Sequence, residues 1–294
     1  MEDESYHPLK YHFAKIYERG KWRKLCYQDL FPDGGIQHAL FNVIASLLHI
    51  TIPTYSYAGI KGRGTHKCRR DVEKYLKKDR KNTKYAGLVD VYHYFESVDR
   101  QLIFDMCKRK LKDCRVLELL HRIIFECPGK RGLKIGLYSA QILSTYFLSG
   151  LDRLYRALGF KGFRYMDDIA IFSNSKNKLH KMIEIIREYL HNMNLRLKGN
   201  YAVFPIAKRR LGFIGYAFNH FGVMIRKRTK ISYMRSCNKI IKALKKHEEI
   251  TPHMMASMIS YQGIVSWASD CGKGLISKYG NRVDVALEFG VDAI

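Results

Sequence analysis

The sequence predicts an α+β fold, a core of strands interleaved with helices and flanked by helical ends. Three observations carry that expectation. Residues 85–95 and 163–173 are rich in β-branched and aromatic residues. Stretches with helical periodicity separate them, and residues 230–294 read as helix almost throughout.

Taken in order, "FNVIASLLHI" (41–50) reads as a buried helix. "YAGIKGRGTHKCRRDVEKYLKK" passes from a glycine-rich loop into a helix with Thr65 as its N-cap. "YAGLVDVYHYF" (85–95) reads as a strand, and Leu102, Met106, Leu111, Val116, Leu119 and Ile123 predict a helical pair over 101–126. Residues 139–158 read as one long buried helix, and 163–173 as a hairpin with Asp167 and Asp168 at its tip. Leu179, Met182, Ile183, Ile186, Leu190 and Met193 mark an amphipathic helix. Residues 209–228 form a hairpin signal around "NHFG". A basic amphipathic helix follows, then one with Thr251 as N-cap and Pro252 at its first position.

The 294 residues carry 52 Lys and Arg against 27 Asp and Glu, a net charge of +25 with a pI near 9.7. An excess of this size without a low-complexity tail points to a polyanionic partner, nucleic acid before an anionic membrane surface. "MEDESYHPLKYHF" is no signal peptide, and no run reaches the ~18 apolar residues of a membrane span. The seven scattered cysteines lack C-x-x-C spacing, which fits reduced thiols in a cytoplasm and excludes a zinc ribbon.

The chemistry sits in the carboxylates. Asp167 and Asp168 stand side by side in an apolar hairpin, and Asp90 interrupts another apolar strand. Burying such groups unpaired costs several kcal/mol, so a compensating cation is expected. Two Mg²⁺ ions, or Mn²⁺ in their place, suit an all-oxygen set and catalyse phosphoryl transfer.

"YMDD" with Asp90 upstream resembles the palm of reverse transcriptases. The resemblance continues in the family's order through "VDVYHYFESVD" (89–99), "GLKIGLYSAQILSTYFLSGLD" (132–152), "LRLKGN" (195–200) and "LGFIGY" (211–216), covering about two-thirds of the chain. "YAGIKGRGTH", "VFPIAKRRLGFIGY" and "SYQGIVSWAS" resemble most the small bacterial and phage enzymes of diversity-generating retroelements.

The resemblance implies a right-hand polymerase fold. Fingers would span 1–84, the palm 85–222 with 101–135 returning to the fingers, and a helical thumb 223–294. It makes Asp90, Asp167 and Asp168 the metal-binding catalytic aspartates and Lys198 the proton donor to pyrophosphate. Phe95 would be the steric gate against a ribose 2′-hydroxyl, favouring deoxynucleoside triphosphates over ribonucleotides. Tyr165 would lie near the primer end and Gln141 near the incoming nucleotide, with Phe213, Gly215 and Tyr216 as primer grip. Arg23, Lys61 and Arg63 are candidates for triphosphate or template contacts. Lys230, Arg235, Lys239, Lys242, Lys245 and Lys246 are placed to track a duplex backbone.

The implied reaction copies an RNA template into DNA through an RNA/DNA duplex. An accessory protein or a structured noncoding RNA is the expected partner, with no membrane. Gene diversification is the first role implied and antiphage defence the second; a noncatalytic RNA-binding scaffold and an RNA-copying RNA polymerase are the alternatives. The chain departs from the common Q-G-x-x-x-S-P pattern at Ile135, Ala140 and Gln141. Losing the amide at Ile135 predicts reduced fidelity.

Overall fold

The structure, a computed structural model, describes residues 6–18, 21–268 and 270–289. Its contacts separate two units. One holds the described residues through Cys68 together with Tyr85–Phe204; the other holds Arg69–Lys84 and the described residues from Pro205 onward.

The first unit opens with an antiparallel hairpin, β1 (His12–Glu18) and β2 (Lys21–Tyr27). Helix α1 (Gly35–His49) begins ahead of the stretch expected to be helical and buries Leu40, Phe41, Ile44 and Leu48 along one face. Helix α2 (Thr65–Lys78) starts at Thr65 itself, so this residue is helical and not the cap; the boundary between the units falls within α2.

Strand β3 (Tyr85–Asp90) stops at the carboxylate instead of running to Phe95. His93 takes a left-handed conformation (φ 44°) and turns the chain into the single helical turn α3 (Tyr94–Ser97), which carries Phe95. The expected helical pair follows as α4 (Arg100–Lys108) and α5 (Cys114–Phe125). Each is capped by an aspartate, Asp99 and Asp113, that accepts two backbone N–H groups.

The single helix expected over 139–158 is two, α6 (Tyr138–Phe147) and α7 (Ser149–Ala157), broken at Leu148. A break leaves carbonyls in the last turn without intrahelical partners. Two of them are satisfied from a distance: Ser144 O accepts from Tyr94 Oη at 2.5 Å and Thr145 O from Arg164 Nη2 at 2.9 Å.

Strands β4 (Lys161–Tyr165) and β5 (Asp168–Ser173) form the predicted hairpin. Helix α8 (Lys176–Asn192) packs on β3 and β5 through Leu179, Met182, Ile183, Ile186 and Leu190, as its periodicity predicts. Each such fully buried side chain stabilises the fold by about 1.5–3 kcal/mol. With β6 (Ala202–Pro205) the sheet order is β4-β5-β3-β6.

In the second unit the expected hairpin at 209–228 is a three-stranded antiparallel meander, β7 (Leu211–Phe213), β8 (Tyr216–Phe218) and β9 (Val223–Ile225). "NHFG" joins β8 to β9. The extra reversal comes from successive positive φ values at Ile214 (45°) and Gly215 (90°), the requirement of a tight hairpin turn. Helices α9 (Lys227–Lys245), α10 (Pro252–Ser266), α11 (Asp270–Leu275) and α12 (Asn281–Phe289) complete the unit. Thr251 caps α10 as expected. Strands β7 and β8, read from the sequence as palm, group with these helices. Among the described residues no helix is long and apolar enough to cross a membrane.

Candidate active site

The β4–β5 hairpin closes through only two residues, Met166 and Asp167, between the paired Tyr165 and Asp168. Met166 has φ 55° where glycine is the usual occupant, a conformation that costs roughly 1–2 kcal/mol. The turn presents Asp167, and Asp168 opens β5 on the exposed surface.

On the other side of β5, Asp90 is the direct cross-strand partner of Asp168. Opposed residues of an antiparallel pair share a sheet face with Cβ atoms about 5 Å apart, and like charges there repel. The three expected carboxylates therefore meet at one end of the sheet. Burial pushes the Asp167 carboxyl up to about 7; the Asp168 charge and the nearby Asp90, which also hydrogen-bonds it, add to the shift.

Lys198 enters the same place. Its N–H donates to Asp90 O at 2.9 Å, and Tyr92 N donates to Arg196 O at 2.8 Å, so the 196–198 segment is laced to the end of β3. Lys198 Nζ then lies 2.7 Å from Asp90 Oδ2. The hydrogen bond to Asp90 raises the pKa of the ammonium. Because both side chains are about a third exposed (38% and 33%), solvent screens much of this attraction.

Do these residues suit a divalent cation? The donors are oxygens, their mutual repulsion calls for positive charge, and an ammonium already answers it in part. Among the described residues no three His, Cys, Asp or Glu side chains form a ready-made cage. That departs from three protein ligands closing on their own. It suits Mg²⁺, which takes one or two carboxylates and completes its shell with water and phosphate. The residues fit the ion.

The loop before α6 packs on β2. Gly136 (φ 111°) passes so close to β2 that a Cβ would lie 2.3 Å from Cys26 O, while Cys26 N donates to Ile135 O at 2.8 Å. Gln141 is exposed on the first turns of α6. Gly59 (φ 69°), from the glycine-rich loop, packs on it: a Cβ there would lie 3.2 Å from Gln141 Cγ, and the positive φ favours glycine.

The family described as "Reverse transcriptase (RNA-dependent DNA polymerase)" matches residues 19–218, more than half of the chain. The chain belongs to the reverse transcriptase family. Its matched region is thus an RNA-directed DNA polymerase domain, a nucleotidyltransferase. No curated protein matches significantly. Among solved structures, telomerase from Candida albicans, in complex with a TWJ fragment of telomeric RNA, aligns with TM-score 0.59 and 10% identity, over 95% of this chain and 58% of that one. Apo telomerase from Candida tropicalis aligns with TM-score 0.59 and 12% identity, over 96% and 59%. At such identities the likeness is one of fold, a right-hand polymerase fold. The chain spans a little over half the length of the telomerase chains.

Within this reverse transcriptase domain the other expected residues divide. Phe95 is half-buried on α3, edge-on to Tyr94 with ring centroids 5.6 Å apart. Tyr165 accepts a hydrogen bond from Thr65 Oγ1 at 3.2 Å. Arg23 and Lys61 are exposed. Arg63, expected at a triphosphate or template, turns inward: its Nη1 donates to the carbonyls of Pro53 (2.8 Å), Ile52 (3.3 Å) and Ser56 (3.4 Å), which makes it a brace for the 52–56 loop. Phe213 and Tyr216, expected to grip primer, are 2% and 1% exposed, and Tyr216 Oη donates to Ile264 O. Their rings are core of the second unit, and the turn Ile214–Gly215 is the accessible part. Along α9, Lys230, Arg235, Lys239, Lys242, Lys245 and Lys246 are exposed while Ile240 and Ile241 are buried, the amphipathic split that the sequence predicts.

Sequence reasoning missed Arg164 and Asp152. Both are fully buried and paired, and Arg164 reaches the catalytic turn. The only signal was a charge between the aromatic residues Phe163 and Tyr165 of β4.

Proposed function

We propose that this protein copies RNA into DNA as the reverse transcriptase of a bacterial or phage retroelement, with Asp90 and Asp167 as ligands of two Mg²⁺ ions and Asp168 beside them. The observation that carries this reading is the register that sets Asp90 opposite Asp168 with Asp167 in the adjoining turn. When bound, such a pair of ions activates the primer 3′-hydroxyl and neutralises charge on the departing pyrophosphate.

The chain's own residues do the rest. Asp90 at the end of β3 and Asp167 in the β4–β5 turn hold their carboxylates at one end of the sheet, so the reacting groups are positioned by backbone geometry. Lys198, freed from Asp90, turns its ammonium to the leaving pyrophosphate as proton donor. Phe95 fills the space a 2′-hydroxyl needs. Gln141 and Tyr165 face the nucleotide and the primer end. Arg23 and Lys61 contribute fingers charge, the Ile214–Gly215 turn contacts primer, and the basic face of α9 follows the duplex backbone. Fingers, palm and thumb follow the boundaries read from the sequence, with the meander shared between palm and thumb.

Gene diversification with reduced fidelity is the role favoured by Ile135, at the place where relatives of other groups carry glutamine. It brings a small basic accessory protein, a structured template RNA and a cytoplasmic setting. Antiphage defence is the second role. Extension of a DNA primer on an RNA template with deoxynucleotides and Mg²⁺ tests the activity, and its absence would refute it. Sequencing the RNA and DNA that copurify separates the roles: copies of a variable gene segment support diversification, and a noncoding RNA of an isolated operon supports defence.

A further inference from the structure

Arg164 is the largest fully buried side chain among the described residues, and its partner Asp152 is 1% exposed. The pair is saturated with hydrogen bonds. Asp152 Oδ1 accepts from Arg164 Nε (2.8 Å) and Tyr155 Oη (2.6 Å), and Oδ2 accepts from Arg164 Nη2 (2.6 Å) and Nε (3.0 Å). The outward donors reach two backbone carbonyls, Thr145 O by Nη2 at 2.9 Å and Met166 O by Nη1 at 3.0 Å.

Met166 is the left-handed residue of the turn that presents Asp167. Strained non-glycine conformations persist only where surroundings over-determine them. Here they do: Arg164 holds the Met166 carbonyl, and the hydroxyls of Ser144 and Thr145 lie 3.7 and 3.6 Å from its sulfur. Thr145 also sits in the last turn of the broken helix α6, one residue from the carbonyl that anchors Tyr94, the neighbour of Phe95. Arg164 therefore ties the catalytic turn to the element that anchors the gate.

A buried ion pair is a poor device for stability, because desolvation offsets its attraction and apolar replacements often match it. Its value here lies elsewhere. We propose that Arg164 and Asp152 are positioning residues that lock Met166 in its left-handed conformation and so aim the Asp167 carboxylate at the metal site. The proposal rests on the polymerase reading of that site.

The decisive variant is Arg164→Met with Asp152→Leu, which removes both charges together and leaves none stranded. It is expected to melt within a few degrees of the parent. Mn²⁺ binding, followed by electron paramagnetic resonance without nucleic acid, is expected to weaken about 10–100-fold, the usual cost of losing an outer partner of a metal ligand. Primer-extension turnover should fall about 100-fold with the deoxynucleotide KM within about threefold, as for a misplaced catalytic group. Asp167→Asn serves as the reference for a damaged metal site. A folded double variant with parental Mn²⁺ binding and turnover would overturn the proposal. Should it not fold, Arg164→Lys keeps the charge beside Asp152 but lacks the fork that reaches Met166 O. The same losses are expected, and parental Mn²⁺ binding would again overturn the proposal. Failure of the parent protein to extend a primer would defeat the polymerase reading, while the Mn²⁺ measurement would still report on the pair.

Discussion

Lys198 Nζ sits 2.7 Å from Asp90 Oδ2, so the lysine expected to serve the leaving group is the counter-ion of a metal-ligand candidate. One side chain thus has two partners to choose between. A divalent ion held by Asp90 would supply the positive charge that the ammonium supplies here, and the role proposed for Lys198 requires that exchange.

Lys198→Met is expected to lower single-turnover incorporation by about 100–10,000-fold, the range of a lost general acid. The Mg²⁺ concentration for half-maximal rate should fall or stay constant, because no ammonium competes for Asp90. A Mg²⁺ titration of the variant checks this, and a raised requirement would count against the exchange.

Asp167 supplies a pH signature in the metal-free protein. Its folded pKa, about 7, lies above the ordinary 3.8 because burial and the two neighbouring aspartates disfavour its charge. A carboxyl raised in this way contributes fully below the unfolded value and loses that contribution as pH rises through about 7. Asp167→Asn removes the loss. Without metal the variant should melt higher than the parent at pH 8, by a margin that shrinks toward pH 5. Thermal melts across that range decide, and a margin independent of pH would disprove the shift.

Phe95→Ala would open the space that the proposed gate closes beside the sugar. The preference for deoxynucleotides over ribonucleotides, read as a ratio of kcat/KM values, should fall by at least about tenfold. Because Phe95 is half-buried beside Tyr94, a melt of the variant separates lost selectivity from lost packing. An unchanged ratio in a folded variant would remove the gate assignment.

Ile135→Gln would install the amide that the proposed function expects beside the incoming nucleotide. Misincorporation opposite template adenines should drop several-fold, consistent with one added hydrogen bond in discrimination. An error frequency equal to the parent's would detach fidelity from this position.

Much of the site was legible because its signals are local. The adjacent carboxylates between apolar strands, the helical spacing of Leu179 to Leu190 and the split face of α9 all follow from residue order. What escaped depends on partners far along the chain. The apolar helical pattern of 139–158 runs across Leu148 and hides the break that the weak helix formers Ser149 and Gly150 adjoin; the carbonyls it frees are met by Tyr94 and Arg164, invisible in that segment. Composition read 85–95 as strand, yet the left-handed His93 ends the run and delivers Phe95 from a helical turn. Phe213 and Tyr216 carry a motif of the family, but their rings fill the core, a matter of packing. The Arg164–Asp152 pair joins a helix to a strand, and nothing in either stretch alone announces the other.

The most direct measurement is primer extension on an RNA template with Mg²⁺ by Asp90→Asn and Asp167→Asn, each beside a thermal melt. Both variants should fold and bind duplex yet lose at least about a thousandfold in incorporation, since each removes a ligand that charge stabilisation in the transition state requires. Incorporation within about tenfold of the parent by either folded variant would contradict a shared carboxylate site at the end of this sheet.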